Sequence, residues 1–197
     1  MEALALNKPA KTSPLGLAAA GFISALISVS FKGHEMFLSA AIFGAMVGLY
    51  LGVFGDLRSF ARFIAFIVIC VIAYLLSWLI VGASGVGGDS LDVTLPQIFV
   101  GGGLGAFFVL LAGMFLFGPA EMRGDALGLA FFGGLGGSIL GLLGGTLDRS
   151  IGPHQPGNFG ASVYFVWQPG VALLLGLLLR WGQKKYLSAP QNANLGP

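Results

Sequence analysis

The chain has 197 residues, of which 56% are hydrophobic and only 9% charged, and its mean hydropathy is +0.89. A soluble domain carries about 25% charged residues, so an ordinary water-soluble globule is excluded. The net charge of +2 is small and its basic residues sit at loop ends, which excludes a nucleic-acid footprint, since that needs them clustered on one solvent-facing surface.

Six apolar stretches follow one another: Pro14–Phe31, Met36–Gly55, Phe63–Ala83, Ile98–Gly118, Ala126–Leu147 and Ala161–Leu179. Each approaches the roughly 20 residues that a spanning helix needs, and none has Asp, Glu, Lys, Arg or His in its core. In lipid every backbone N–H and C=O must be satisfied within its own segment, which favours helices over open sheets. The expected fold is an all-α integral membrane protein, a bundle of about six transmembrane helices with glycine-rich packing faces. One membrane domain covers 1–187, and the polar stretch 188–197 reads as a disordered tail.

The first stretch follows Lys8 and Lys11 and ends Ser28-Val29-Ser30, the outline of a signal peptide. Cleavage there would leave five spans. The run is long and no strong A-x-A box closes it, so a retained span is expected.

The second stretch carries Gly44, Gly48 and Gly52, and the third carries the lone cysteine, Cys70. A single cysteine has no internal disulfide partner and reads as a small buried apolar side chain. The third stretch ends in Gly82-Ala83-Ser84-Gly85, similar to the G-x-S-G of rhomboid intramembrane proteases. In that family the serine starts a late helix and pairs with a histidine in the last span. Here Ser84 ends the third span and the last contains no His, so the nucleophile lacks a base. Gly87-Gly88-Asp89 approaches the G-x-G-D of intramembrane aspartyl proteases. Val86 breaks the motif, and no second Asp lies in a span to share a proton.

Two longer connections, Gly85–Gln97 and Asp148–Gly160, carry Gly, Pro and acidic residues and read as irregular. The only histidines, His34 and His154, fall in loops near Glu35 and Asp148. Their spacing matches no metal motif, and haem would need a ligand at membrane depth. No phosphate-binding G-x-x-x-x-G-K-[ST] occurs. No cofactor, no metal and no catalytic residue is therefore expected. The absence of charge at depth also argues against proton coupling and voltage sensing.

The fourth stretch has a broken row, Gly101, Gly105 and Gly113, and the fifth a full one, Gly133, Gly137, Gly141 and Gly145. Residues four apart share a helix face, and glycines there form a groove that lets two backbones approach closely. Each Gly costs roughly 1 kcal/mol of helix propensity against Ala, so four in a row mark a contact. The segment Gly133-Gly134-Leu135-Gly136-Gly137-Ser138 resembles the glycine-zipper helices of many bacterial membrane proteins, which implies packing only. The face meets either another helix of the chain or a second subunit. Phe131, Phe132, Leu140 and Leu143 fall on other faces.

A shift of 65 residues aligns Gly48, Tyr50, Leu51, Asp56 and Arg58 with Gly113, Phe115, Leu116, Glu121 and Arg123. The second-to-third hairpin thus resembles the fourth-to-fifth, by duplication or by convergence on an acidic-x-Arg finish at the interface.

In the last stretch Tyr164, Trp167, Gln168, Pro169 and Gly170 lie together. Pro169 removes a helical N–H and leaves the Phe165 carbonyl short of a partner. Gln168 brings an uncharged polar group to depth, where it should face protein or a cavity. This pattern reads as a packing kink or as a helix break on a solute pathway.

With both termini cytoplasmic, Lys8, Lys11, Arg58, Arg62, Arg123, Arg180, Lys184 and Lys185 lie inside, and only Lys32 and Arg149 outside. That bias and the absence of N-x-[ST] sites fit a bacterial cytoplasmic membrane. The functional expectation is a non-enzymatic subunit or scaffold. Its partners are the lipid bilayer and other membrane subunits, or itself as a homo-oligomer, met through glycine-zipper faces. The alternative is a passive channel or facilitator for a small neutral solute at Gln168-Pro169-Gly170. A membrane enzyme acting on lipid or peptide is a third class with no residue to carry it.

Overall fold

The computed structural model describes residues 12–31, 36–54, 59–83, 94–151 and 161–187. Among them every regular element is helical: α1 Pro14–Ser30, α2 Met36–Phe54, α3 Phe60–Ala83, α4 Leu95–Phe117, α5 Ala126–Ile151 and α6 Ala161–Gly182. A 3₁₀ turn, Ala120–Gly124, joins α4 to α5, and a π turn, Gln183–Leu187, follows α6. Five helices, α2 to α6, are long and apolar enough to cross a membrane. The 17-residue α1 is shorter, at roughly 25 Å against a hydrocarbon core of about 30 Å.

Local chemistry sets the helix starts. Ser13 caps α1 by accepting from the Gly16 N–H at 3.4 Å, and Pro14, which has no N–H to satisfy, takes the first position. At α4 the Gln97 side chain reaches back to accept from the Thr94 N–H at 2.7 Å, half of a capping box. The apolar runs placed this start at Ile98, and the cap moves it to Leu95. Three other helices outrun their apolar cores. α3 starts at Phe60 and takes in Arg62, α5 continues through Asp148 and Arg149 to Ile151, and α6 continues through Arg180 to Gly182. A helix need not stop where charge begins, because long side chains bend toward the interface.

The helices close into a ring. α1 touches α2 and α6, α2 touches α3, α3 touches α4, α4 touches α5, and α5 touches α6, while α4 also reaches α6 across the ring. The buried core includes Val47, Leu51, Phe66, Val109, Leu110, Met114, Leu175 and Leu179. Phe66 meets Phe117 edge-on, with ring centroids 5.2 Å apart. Met122, on the 3₁₀ turn, seals one end: a Cβ added at Gly182 would run into its sulfur, and one at Gly118 would come within 3.2 Å of it.

The outer faces carry long apolar stripes. On α3 these are Phe60, Ile64, Val68, Ile72 and Leu76; on α5 they include Phe131, Phe132 (72% exposed), Leu135, Ile139 and Leu143. Stripes of this extent suit hydrocarbon better than water. Leu140, on another face of α5, packs against Gly170 of α6. The tail 188–197, both histidines, Glu35, Ser84, Asp89, Lys8, Lys11, Arg58 and most of the two longer connections lie outside the described residues.

Candidate functional site

A cavity of about 100 Å³ lies inside the ring, in the half that holds the N-terminal turns of α2, α4 and α6. Its walls come from Ser39, Ala40 and Phe43 of α2, Cys70, Ala73, Tyr74 and Ser77 of α3, Gln97 to Val109 of α4, Gly141 of α5, and Val163, Tyr164, Trp167 and Gln168 of α6. Along α4 this covers about 18 Å at ~1.5 Å per residue. None of the residues in its walls is charged.

The space exists because α3 and α4 supply small residues here. Ala73, Ser77, Gly101, Gly102 and Gly105 leave room that larger side chains would fill. Trp167 packs against α4: a Cβ at Gly105 would come within 3.2 Å of its ring. The indole N–H donates to the Gly102 carbonyl at 3.0 Å, which fixes the ring as one wall. Phe43 stands against it, with centroids 6.0 Å apart.

Gln168 is 3% exposed. Its Oε1 accepts from the Ser24 hydroxyl of α1 at 2.5 Å, so α1 reaches the site from behind α6. The hydroxyls of Tyr74 and Ser39 both lie beside that of Tyr164, and the Tyr74 oxygen is sealed from solvent. Ser77 bonds back to the Ala73 carbonyl at 2.7 Å.

Of the five residues singled out on the last span, the structure brings Tyr164, Trp167 and Gln168 to the cavity. Pro169 and Gly170 turn away. The α1 backbone crosses Pro169 so closely that a Cβ at Gly21 would meet the Pro169 Cα at 2.8 Å, and Gly170 accommodates Leu140. Of the two readings of this stretch, packing kink or helix break, the break is absent, because α6 runs as one helix from Ala161 through Pro169 to Gly182. A proline forfeits one helical bond, and packing on both sides by Gly21 and Leu140 holds the turn in place.

The glycine rows meet neighbours within the chain. On α5, Gly133 faces Leu110, Gly137 faces Ala106 and the Gly102 carbonyl, and Gly141 and Gly145 face Ile98, all on α4. On α2, Gly44 faces Ile67 and Cys70 and Gly48 faces Phe63, all on α3; Gly52 is half-buried. On α4, Gly101 lines the cavity, Gly105 meets Trp167, and Gly113 meets Leu175 of α6. The sequence reading missed Gly102, Gly103 and Gly134, which also lie on the close α4–α5 seam, and Gly21, Gly176 and Ser24 on the α1–α6 contact. The run Gly101-Gly102-Gly103 was the available signal, since consecutive glycines open several faces of one helix.

At the opposite end Asp125 gathers the tail of α6. Lys185 Nζ lies 2.8 Å from its carboxylate, and the Tyr186 hydroxyl donates to the same oxygen. The ammonium also sits 4.7 Å from the Trp181 ring centre. Hydrogen bonds from Lys185 and Tyr186 hold the Asp125 carboxyl below its ordinary value. Among the described residues no group of three or more His, Cys, Asp or Glu converges as a metal site would require. Comparison with known proteins supplies no relative: no protein family, curated protein or solved structure matches the chain.

Proposed function

We propose that the chain is a non-enzymatic membrane protein that binds a small uncharged solute in this cavity and gives it a route across the bilayer. The observation that carries the reading is an uncharged cavity walled by five helices, with Gln168 buried beside it. Size limits the cargo. An apolar cavity of about 150 Å³ takes benzene, so about 100 Å³ suits four or five non-hydrogen atoms. Below the cavity Leu110, Met114, Leu175 and Leu179 close the bundle, so passage needs those helices to move apart. Pro169, with its missing hydrogen bond, is where α6 yields most easily.

In this reading all six helices span, with local thinning of the bilayer around the short α1. The glycine rows are seams between neighbouring helices. In the same reading both termini face the cytoplasm of a bacterial cell, which the bias of the basic residues supports, and the cavity then lies toward the outer surface.

A second reading, a subunit or scaffold in a larger membrane assembly, draws on the exposed aromatic face of α5 at Phe131 and Phe132. A partner would meet that face, because the glycines of the α5 row face α4.

Osmotic swelling of proteoliposomes separates the two. Acetamide or urea should enter several-fold faster than into empty liposomes, and Gln168→Leu should slow entry without changing the size of the purified particle. Equal rates with and without protein, together with co-purifying subunits at fixed stoichiometry, would favour the assembly reading.

A further inference from the structure

We infer that the lipid-facing side of α6 near its C-terminus binds an anionic phospholipid, with Arg123, Arg180 and Lys184 around the phosphate and Trp181 and Leu177 along the lipid's apolar part. The inference is independent of the solute reading and needs only the bilayer.

Charge is uneven between the two ends of the bundle. At the end that holds the C-terminal turns of α4 and α6, the described residues carry five cations, Arg62, Arg123, Arg180, Lys184 and Lys185, against two carboxylates, Glu121 and Asp125. At the other end they carry one cation, Arg149, against one carboxylate, Asp148. Two of the five cations are engaged by the protein. Lys185 pairs with Asp125, and the Arg62 guanidinium donates to the Leu116 carbonyl at 3.3 Å. Arg123, Arg180 and Lys184 are exposed and make no ion pair with any described residue, Glu121 included.

The fold brings these three together. Gly182 lies against Met122, since a Cβ there would run into its sulfur, and Lys185 and Tyr186 reach Asp125. The 3₁₀ turn and the end of α6 therefore run side by side, with Arg123 and Lys184 each falling between these two contacts. Arg180 precedes Lys184 by four residues, on the same side of the helix. Two cations at that spacing repel each other, and an anion between them removes the repulsion. The Asp125 contact holds the last turn in place, so the cations are positioned before a ligand arrives.

The residues beside the cations select the kind of anion. Leu177, 49% exposed, and Trp181, 41% exposed, share a side of α6 with Arg180 and Lys184, at the i, i+3, i+4, i+7 spacing of one helix face. Tryptophan favours the headgroup level of a bilayer, and long basic side chains reach phosphates from there. Basic residues above an apolar track match the two parts of a phospholipid. A soluble phosphate would use the cations alone, and a zwitterionic headgroup brings its own cation to the same place.

The test is native mass spectrometry of the full-length protein in detergent, titrated with phosphatidylglycerol and with phosphatidylcholine of the same acyl chains. Glycerol 3-phosphate serves as a soluble competitor. A cation beside an anionic headgroup is worth about fivefold, so three predict a preference for phosphatidylglycerol on the order of a hundredfold, and Arg180→Gln/Lys184→Gln should lower it by roughly twentyfold. Arg180→Gln/Phe60→Lys keeps the net charge but moves one cation to the exposed start of α3, across the ring. Its preference should fall about fivefold, as for Arg180→Gln alone. An unchanged size-exclusion peak for each variant separates a lost site from lost folding. Equal binding of the two lipids to the wild type, or a preference that survives Arg180→Gln/Lys184→Gln, overturns the inference. So does a wild-type preference in Arg180→Gln/Phe60→Lys, which would make the attraction one of net charge alone. Displacement of the lipid by equimolar glycerol 3-phosphate overturns it too, because the site would then be one for free phosphate.

Discussion

Around the C-terminal turns of α2, α4 and α6, Leu51, Met114, Leu175 and Leu179 are buried in a continuous core with Phe66. Around the N-terminal turns, the same three helices part about a cavity. The difference is one of side-chain volume. One half places large aliphatic and aromatic residues at the centre. The other places Ser39, Ala40, Ala73, Ser77, Gly101, Gly102 and Gly105 there, and Trp167 only partly fills what they leave. A bundle of helices in lipid gains little by excluding lipid tails, so close packing decides its stability. The closed half therefore holds the ring together, and the open half contributes less packing.

The largest expected effect comes from the seam that ties α4 to α5. A Cβ at Gly137 would run into Ala106 and come within 2.8 Å of the Gly102 carbonyl. Backbone cannot give way cheaply, so Gly137→Leu should destabilise by about 3 kcal/mol. Fluorescence-detected size exclusion should show little monodisperse protein. A normal peak would remove the seam from the account.

Next is Leu175→Ala in the closed half. Leu175 is fully buried and its side chain occupies the notch at Gly113. Removing it should cost about 2–4 kcal/mol, read as a lower unfolding midpoint, and should raise acetamide entry into proteoliposomes. A stability loss with unchanged flux would mean that this half does not limit passage.

Ser24→Ala is smaller. It removes the hydrogen bond to the Gln168 carbonyl, and polar bonds between membrane helices are worth about 1 kcal/mol. The unfolding midpoint should fall slightly, and solute affinity should change as Gln168 loses its fixed orientation.

The smallest effect is at Asp125. Its carboxyl is held low by Lys185 and Tyr186, so the contribution is present above the ordinary carboxylate value of about 4. It is lost as pH falls through the lowered folded value. Between pH 7 and pH 3 the wild-type midpoint should fall by slightly more than that of Asp125→Asn. The pair is exposed, which keeps the difference small. Identical pH profiles would show that this contact contributes nothing to stability.

The helices were legible because apolar runs without charge dictate them directly. Their ends were less so, since Arg62, Arg149 and Arg180 look like stops in a sequence but lie inside helices. Thr94 and Gln97 did carry the α4 start as a capping box. The glycine rows were legible as faces, but i, i+4 spacing is the same whichever helix covers the face. The 65-residue shift illustrates this: Gly48 meets Phe63 on the next helix, whereas its counterpart Gly113 meets Leu175 on α6. Gln168 stood out as a polar group in an apolar span. Ser24, its partner, did not, because a lone serine is common in such helices. The cavity itself was not legible. It is a deficit of volume among residues from five helices, and only their three-dimensional juxtaposition reveals it.

The contrast between the halves is tested most directly by thiol accessibility in nanodiscs. In a Cys70→Ala background, Ser39→Cys places a thiol on the cavity wall and Met114→Cys places one in the closed half. Methyl methanethiosulfonate should modify position 39 readily and position 114 at least tenfold more slowly. Equal rates at the two positions, or a faster rate at 114, would contradict a bundle that is open at one end and closed at the other.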